Sequence, residues 1–294
     1  MPAEKIRKAA LIIAITLISA FFLDTGRYLV YPDISRLKKV NPRKTFFMEY
    51  REREWKKAGK KMTVKQIWVP LQAISPYLKK AVIIAEDDRF WSHEGFDSAA
   101  IEKAIEVNIK KAGFKKGGST ISQQLAKNLY LTPSKNPVRK IKEAILTWRM
   151  ERTLSKGRIL ELYLNVAEWG EGIFGIEAAS QNYFQKSAME LGPEEAALLA
   201  SILPNPRRYS PVSPSRYVEG RSRIIYDIMV KRGIVIPEYD ETLDEGQNPA
   251  TPPLIPPFIP NEPGTSGGSI REGGEWGVEN ITPPGNKLHA GQTI

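Results

Sequence analysis

The sequence predicts an all-α body behind one apolar N-terminal helix. Between residues 63 and 232, apolar residues recur at intervals of three and four. Helix start signals punctuate that stretch: Ser98 with Glu102, and Pro193 followed by Glu194 and Glu195. No long β-branched alternation of strand type occurs.

The first element is the run from Ala9 to Leu23, which carries no charge. It lies behind Lys5, Arg7 and Lys8 and is closed by Asp24. Fifteen helical residues span roughly 22 Å against a hydrocarbon core of ~30 Å, and the apolar residues 28–31 extend the contact. We assign residues 1–8 to a basic cytoplasmic segment and 9–30 to a transmembrane anchor. The rival is a cleaved signal peptide, whose best site, after Ala20, has Ile18 at −3 and two phenylalanines following. The flanking cations place the N-terminus in the cytoplasm and the body outside. Residues 31–62 form a polar, basic connector, helical over 51–57.

The body spans 63–236. Its helices are expected over 76–87, 98–112, 121–130, 137–154, 156–165, 173–184, 193–203 and 214–232. The tail, 237–294, differs in composition. Residues 241–294 hold nine Pro and nine Gly, too little apolar content to offset ordering entropy, so the tail is expected to be disordered. A passive spacer is its expected role; binding of a partner through its prolines is the alternative.

Charge narrows the partners. The chain carries 43 Lys+Arg against 33 Asp+Glu, a net +10. Residues 241–294 carry −5, which leaves +15 on 1–240 and favours an anionic partner. Export argues against nucleic acid, and no aromatic-interleaved basic stripe is present. There is no cysteine, and the only histidines are His93 and His289, so thiolate and His-based zinc sites are excluded. Carboxylate sites for Mg²⁺ or Mn²⁺ stay open.

Three clusters carry chemistry. Glu86-Asp-Asp-Arg-Phe-Trp-Ser-His-Glu-Gly-Phe-Asp97 ends an apolar helix, where a carboxyl can be desolvated and its pKa raised for proton transfer. Solvated acids at a helix C-terminus are the plainer reading, and a lone histidine such as His93 is more often structural. The second cluster runs from Lys115 to Tyr130. Its glycines and hydroxyls precede a helix and favour anion binding. It mimics a nucleotide-binding loop, but Ser119 stands where that loop needs Lys. The third runs from Arg139 to Glu151 and places Lys140 and Glu143 on one helix face; a surface ion pair is the alternative.

Together, in this order, the clusters resemble the peptidoglycan glycosyltransferase family. Glu86, Asp87, Phe90, His93 and Gly95 look like its first motif, and Gly118 through Asn128 like its second. Arg139, Lys140 and Glu143 look like its third, and residues 155–165 like its fourth. The connector at 68–76 is similar to the monofunctional branch in particular. The resemblance implies a lysozyme-like two-lobed helical domain, its smaller, membrane-dipping lobe between Gly95 and Gly118. The substrate would be lipid II, joined to a growing β-1,4 glycan strand with inversion and release of undecaprenyl pyrophosphate at an anionic membrane.

By family role, Glu86 is the base, and Glu143 acts near the donor pyrophosphate with Lys140 and Arg139. Mg²⁺ or Mn²⁺ would assist, with Glu143 as the metal ligand. Ser119, Thr120, Gln123, Gln124, Lys127 and Asn128 would line the cleft, and Lys156, Arg158 and Glu161 would support its far side. No transpeptidase is expected: Ser35 to Lys38 and Ser134 to Asn136 are short chance matches, and no Lys-Thr-Gly occurs. The rivals are a wall hydrolase, such as a lysozyme or lytic transglycosylase, and an anchored scaffold whose tail, crossing the cell-wall mesh, recruits division (divisome) or other cell-wall synthesis proteins.

Overall fold

The computed structural model describes residues 2–102, 106, 118–134 and 136–236. The tail and most of the expected 95–118 lobe lie outside the described residues.

Helix α1 (Pro2–Gly26) is continuous, and the stretch Ala3–Leu29 is long and apolar enough to cross a membrane, with a mean hydropathy of 2.0 and its apolar part unburied by the rest of the protein. Helix α2 (Phe46–Lys57) starts five residues before the expected helix, because Thr45 caps it by accepting from Met48 N–H at 3.1 Å. Its Met48 and Trp55 then reach the core.

Helix α3 (Pro76–Glu86) opens on Pro76, whose missing N–H costs nothing in a first turn. Leu78, Ala81 and Val82 give it a fully buried face. It ends at Glu86 because Asp87 leaves helical geometry. The next helix begins at Ser98, but its cap is Asp97, one residue earlier than the start signal suggests: Asp97 Oδ1 accepts from Ala100 N–H at 2.8 Å. The Arg89 guanidinium beside it holds the Asp97 carboxyl down at about 2.

Helix α4 (Ile121–Tyr130) has the expected bounds. It lies against α2, α5 (Pro137–Thr153) and α6 (Lys156–Val166), while α3 packs on α8 (Pro193–Ile202) and α9 (Arg216–Lys231). Asn136 caps α5 and Ser155 caps α6 through their side chains. Between these helix groups runs one continuous core, from Ile34 to Val235, in which Leu125, Leu146, Leu164 and Trp169 are fully buried.

The body is mostly helical but carries a small sheet that the periodicity does not signal. Its order is β1 (Lys65–Gln66), β3 (Ile173–Phe174), β2 (Glu168–Gly170), with β1 parallel and β2 antiparallel to β3. The expected helix over 173–184 therefore begins only at Ile176, as α7 (Ile176–Phe184). Gly172 and Gly175 hold φ of +79° and +78° on either side of β3, which prevents the helix from running back into it.

Asn165 ties this sheet to α6. Its side chain exchanges hydrogen bonds at 2.9 Å with both backbone groups of Val69. A Cβ at Gly175 would sit 2.7 Å from Asn165 O, whereas one at Gly233 (φ +65°) meets nothing. Gly175→Ala should therefore lower unfolding free energy by about 1–3 kcal/mol from backbone strain with a steric excess on top. Gly233→Ala should cost less, and urea unfolding of the two variants checks the order.

Candidate active site

The site is assembled where the end of α3 meets the start of α4. Thr120 caps α4: its Oγ1 accepts from Gln123 N–H at 3.2 Å, and Gln123 Oε1 accepts from Thr120 N–H at 3.0 Å. The Thr120 hydroxyl also donates to Gly95 O at 2.7 Å. Gly95 adopts φ +90°, and a Cβ there would lie 2.8 Å from Thr147 and 2.9 Å from Glu151, so only glycine fits.

Asp87 locks the first two clusters together. Its Oδ2 accepts from Ile121 N–H at 2.9 Å, at the positive end of α4, and its Oδ1 pairs with His93 Nε2 at 2.8 Å. His93 Nδ1 accepts from Gly95 N–H at 3.0 Å, so Nε2 carries the proton that goes to Asp87. Burial pushes the Asp87 carboxyl up, against those two hydrogen bonds. Phe90 is fully buried beside His93, and the Lys156 ammonium lies 4.6 Å over its ring. Lys156 also donates to Glu151 at 2.8 Å, and Glu151 in turn accepts from Ser122.

Glu86 stands at the end of α3 with its side chain only 11 % exposed. Burial lifts its carboxyl above the ordinary range, while Gln124, Arg221 and Lys127 pull it back. Gln124 Nε2 donates to Glu86 Oε2 at 2.8 Å, and Arg221 Nη2 lies 3.2 Å from Oε1. The fully buried Tyr163 fixes the Gln124 amide by donating to its Oε1 at 3.1 Å. Burial raises that phenol well above its usual value, so it remains a donor.

Glu143 differs in kind. Its carboxylate is buried on α5 and clamped by Arg139 on one oxygen and Lys140 on the other. Lys140 reaches on to Ser119 Oγ at 3.2 Å, which brings the third cluster onto the second. Glu143 is thus an organiser of cations. Lys127 lies between the two carboxylates. Burial lowers its pKa, and Glu143 and Glu86 oppose that shift.

A polar recess of about 170 Å³ continues from this point, lined by Gln124, Lys127, Asn128, Glu168, Asn205 and Arg207. Glu168 is buried there, held by Arg51 at 2.8 and 3.1 Å, and burial raises its pKa against Arg51. Its Oε1 is buried without a hydrogen-bond partner among the described residues, as is Arg221 Nε.

A divalent ion would need several oxygen ligands. Both Glu143 oxygens are taken by cations, and no group of three His, Asp or Glu side chains suited to a metal occurs among the described residues. The described residues do not build a metal seat.

The structure brings Glu86, Asp87, Phe90, His93, Gly95, Ser119, Thr120, Gln123, Gln124, Lys127, Asn128, Arg139, Lys140, Glu143 and Lys156 onto the α3–α4–α5 junction; Gly118 precedes it in the chain. Arg158 and Glu161 serve elsewhere. Arg158 donates to Leu37 O at 2.8 Å and Asn41 Oδ1 at 2.7 Å, and Glu161 accepts from Leu71 N–H at 3.1 Å, so they fasten the connector to α6. Sequence reasoning missed Arg221, Tyr163, Glu168, Arg51 and Glu151. Tyr163 lay inside the fourth motif and was open to discovery; Arg221, on α9, carried no local signal.

A raised carboxyl beside a bank of cations, on a helical scaffold, defines an acid–base enzyme for a substrate that develops negative charge. Comparison with known proteins gives the family. A family model described as Transglycosylase matches residues 53–230. The biosynthetic peptidoglycan transglycosylase of Dechloromonas aromatica is 55 % identical over 170 residues, covering 58 % of this chain and 74 % of the relative. The protein of that name from Aromatoleum aromaticum is 51 % identical over 190 residues, covering 63 % and 83 %. That from Nitrosospira multiformis is 43 % identical over 208 residues, covering 71 % and 90 %. The chain belongs to the transglycosylase family.

Because Arg221 stabilises the ionised form of Glu86, Arg221→Gln should move the Glu86 titration to higher pH. Carbon-detected NMR titration of the labelled carboxyl in both proteins reads the shift and its sign.

Proposed function

We propose that this chain polymerises lipid II into β-1,4 peptidoglycan glycan strands at a membrane in which α1 is embedded. The single observation that carries this reading is the pairing of an ionisable, desolvated Glu86 with the cation bank of Lys127, Arg139 and Lys140 on one cleft. The names and identities of the relatives support it, as does the uncharged run from Ala9 to Leu23 within α1.

The chemistry follows from the geometry. Ionised Glu86 takes the proton of the acceptor sugar's 4-hydroxyl. The freed oxygen pair bonds to the donor anomeric carbon from the face opposite the leaving group, so configuration inverts. The bond from that carbon to the pyrophosphate oxygen breaks, and its electron pair leaves with undecaprenyl pyrophosphate. Lys127, Arg139 and Lys140 stabilise the charge that develops there, and Glu143 keeps the last two aimed. Gln124, held by Tyr163, donates to Glu86 and keeps its reacting oxygen in place. The 170 Å³ polar recess beside Gln124 and Lys127 offers Asn128, Asn205 and Arg207 to sugar hydroxyls.

Polymerisation of lipid II by the full chain in liposomes tests the reading. Glu86→Gln should lose at least ~10²-fold, the usual scale for removal of a general base. Absence of polymer from folded wild-type protein, or release of soluble muropeptides from purified sacculi, would overturn it.

The pH profile follows from the two shifts. Glu86 works ionised and its pKa is raised, so activity climbs with pH through a limb above the ordinary glutamate value of 4.5. Lys127 works protonated and its pKa is lowered, so activity falls through a limb below the ordinary lysine value of 10.5. Lys127→Arg should move the alkaline limb upward, which a pH–rate profile of kcat/KM would read.

A further inference from the structure

A second recess lies away from the cleft, where α1 leaves its apolar stretch. It encloses about 500 Å³ between residues 27–32 and the 130–142 region, and Arg27, Tyr28, Tyr31, Tyr130, Arg139 and Lys142 form much of its wall. The chemistry above makes no use of it.

Its charge is unbalanced. Asp24 is shared by Arg27, at 3.2 Å, and Lys142, while Glu143 is shared by Arg139 and Lys140. Three of these cations, Arg27, Arg139 and Lys142, line the recess, and neither carboxylate is in its wall. Arg27 and Lys142 also lie 5.0 and 5.2 Å from the centroid of the same Tyr28 ring, which holds the two cations close to one another.

Its height relative to a bilayer is set by the chain. The span Ala3–Leu29 ends at this recess, Tyr31 lines it, and Leu29, Val30 and Ile141, neighbours in sequence of lining residues, are exposed, as are side chains that settle at a membrane interface. A cationic pocket with an apolar rim at that depth matches a phosphate on a glycerol bearing acyl chains.

From this we propose that the recess between the end of α1 and helix α5 binds the headgroup of an anionic glycerophospholipid. Its phosphate sits between Arg27 and Lys142, and its acyl chains run beside α1. Arg139 lines the same recess and also holds Glu143, so the bound lipid lies one side chain from the cation bank of the cleft. The proposal rests on α1 being embedded in a membrane, which forms part of the reading above.

The experiment uses the full chain in detergent. Native mass spectrometry counts phosphatidylglycerol and phosphatidylcholine retained after equal exposure to both. Phosphatidylglycerol should be retained preferentially. Each basic side chain near an anionic headgroup contributes roughly a factor of five, so Arg27→Gln with Lys142→Gln should cut retention at least about tenfold. Asp24→Asn should raise retention, because it releases both cations; a residue that only propped the fold would lower it. Lys60→Gln with Lys186→Gln matches the first charge change away from the recess, and Glu190→Gln matches the second. Neither control should move retention.

Equal retention of the two lipids overturns the proposal. So does an undiminished signal in the Arg27/Lys142 variant, a fall in Asp24→Asn, or displacement of phosphatidylglycerol by stoichiometric undecaprenyl pyrophosphate, which would assign the recess to substrate. Flotation on vesicles of phosphatidylcholine alone separates the underlying assumption: failure to float would overturn the anchor itself, whereas flotation without lipid preference overturns only the headgroup site.

Discussion

The carboxylate of Asp87 is the joint on which the site turns. It accepts from the backbone of Ile121, thirty-four residues away in sequence, and from His93, whose other nitrogen is held by Gly95. Those contacts fix the direction in which the chain leaves α3 and the point at which α4 begins. Glu86 is the preceding residue and Gln124 lies one turn into α4, so their mutual placement follows from the joint. Buried polar groups are costly unless satisfied, and here each satisfies another across two segments. Asp87 therefore serves in architecture, with no proton transfer required of it.

The two glutamates of the cleft show how environment separates roles. Glu86 is desolvated and faces one amide and one guanidinium at moderate distances, a setting in which gain and loss of a proton are both accessible. Glu143 is as deeply placed but has a full cation on each oxygen. A carboxylate so paired brackets the two cations. The cleft thus sets one carboxyl apart in a desolvated position and uses the other to hold two cations side by side.

Much of this was legible in the sequence. The bounds of α4 followed from apolar residues recurring at three and four over 121–130, a local pattern. The pairing of Lys140 with Glu143 followed from helical spacing. What was hidden came from tertiary placement. Arg221 reaches Glu86 from 135 positions downstream, and its neighbours on α9 are equally basic, so nothing local singled it out. Glu168 looked like one more polar residue near a turn until Arg51 met it from the connector. Arg158 and Glu161 had the pattern of cleft residues but turn toward the connector. The three short strands escaped notice because two or three residues cannot display an alternation; glycines at positive φ, more than side-chain pattern, define β3.

Helix α5 has a double duty. Toward the cleft it carries Arg139, Lys140 and Glu143. Toward α1 its Arg149 donates to the carbonyls of Tyr28, Val30 and Pro32 at 2.8 to 2.9 Å, and Lys142 holds Asp24. The guanidinium works as a tether pin: three backbone oxygens converge on one rigid planar group, so the segment after α1 has little freedom to swivel. A chain fixed in this way presents its cleft at a set angle and height above whatever surface holds α1. Polymer growth would then have a direction imposed by the mooring, with each added unit leaving along the same bearing.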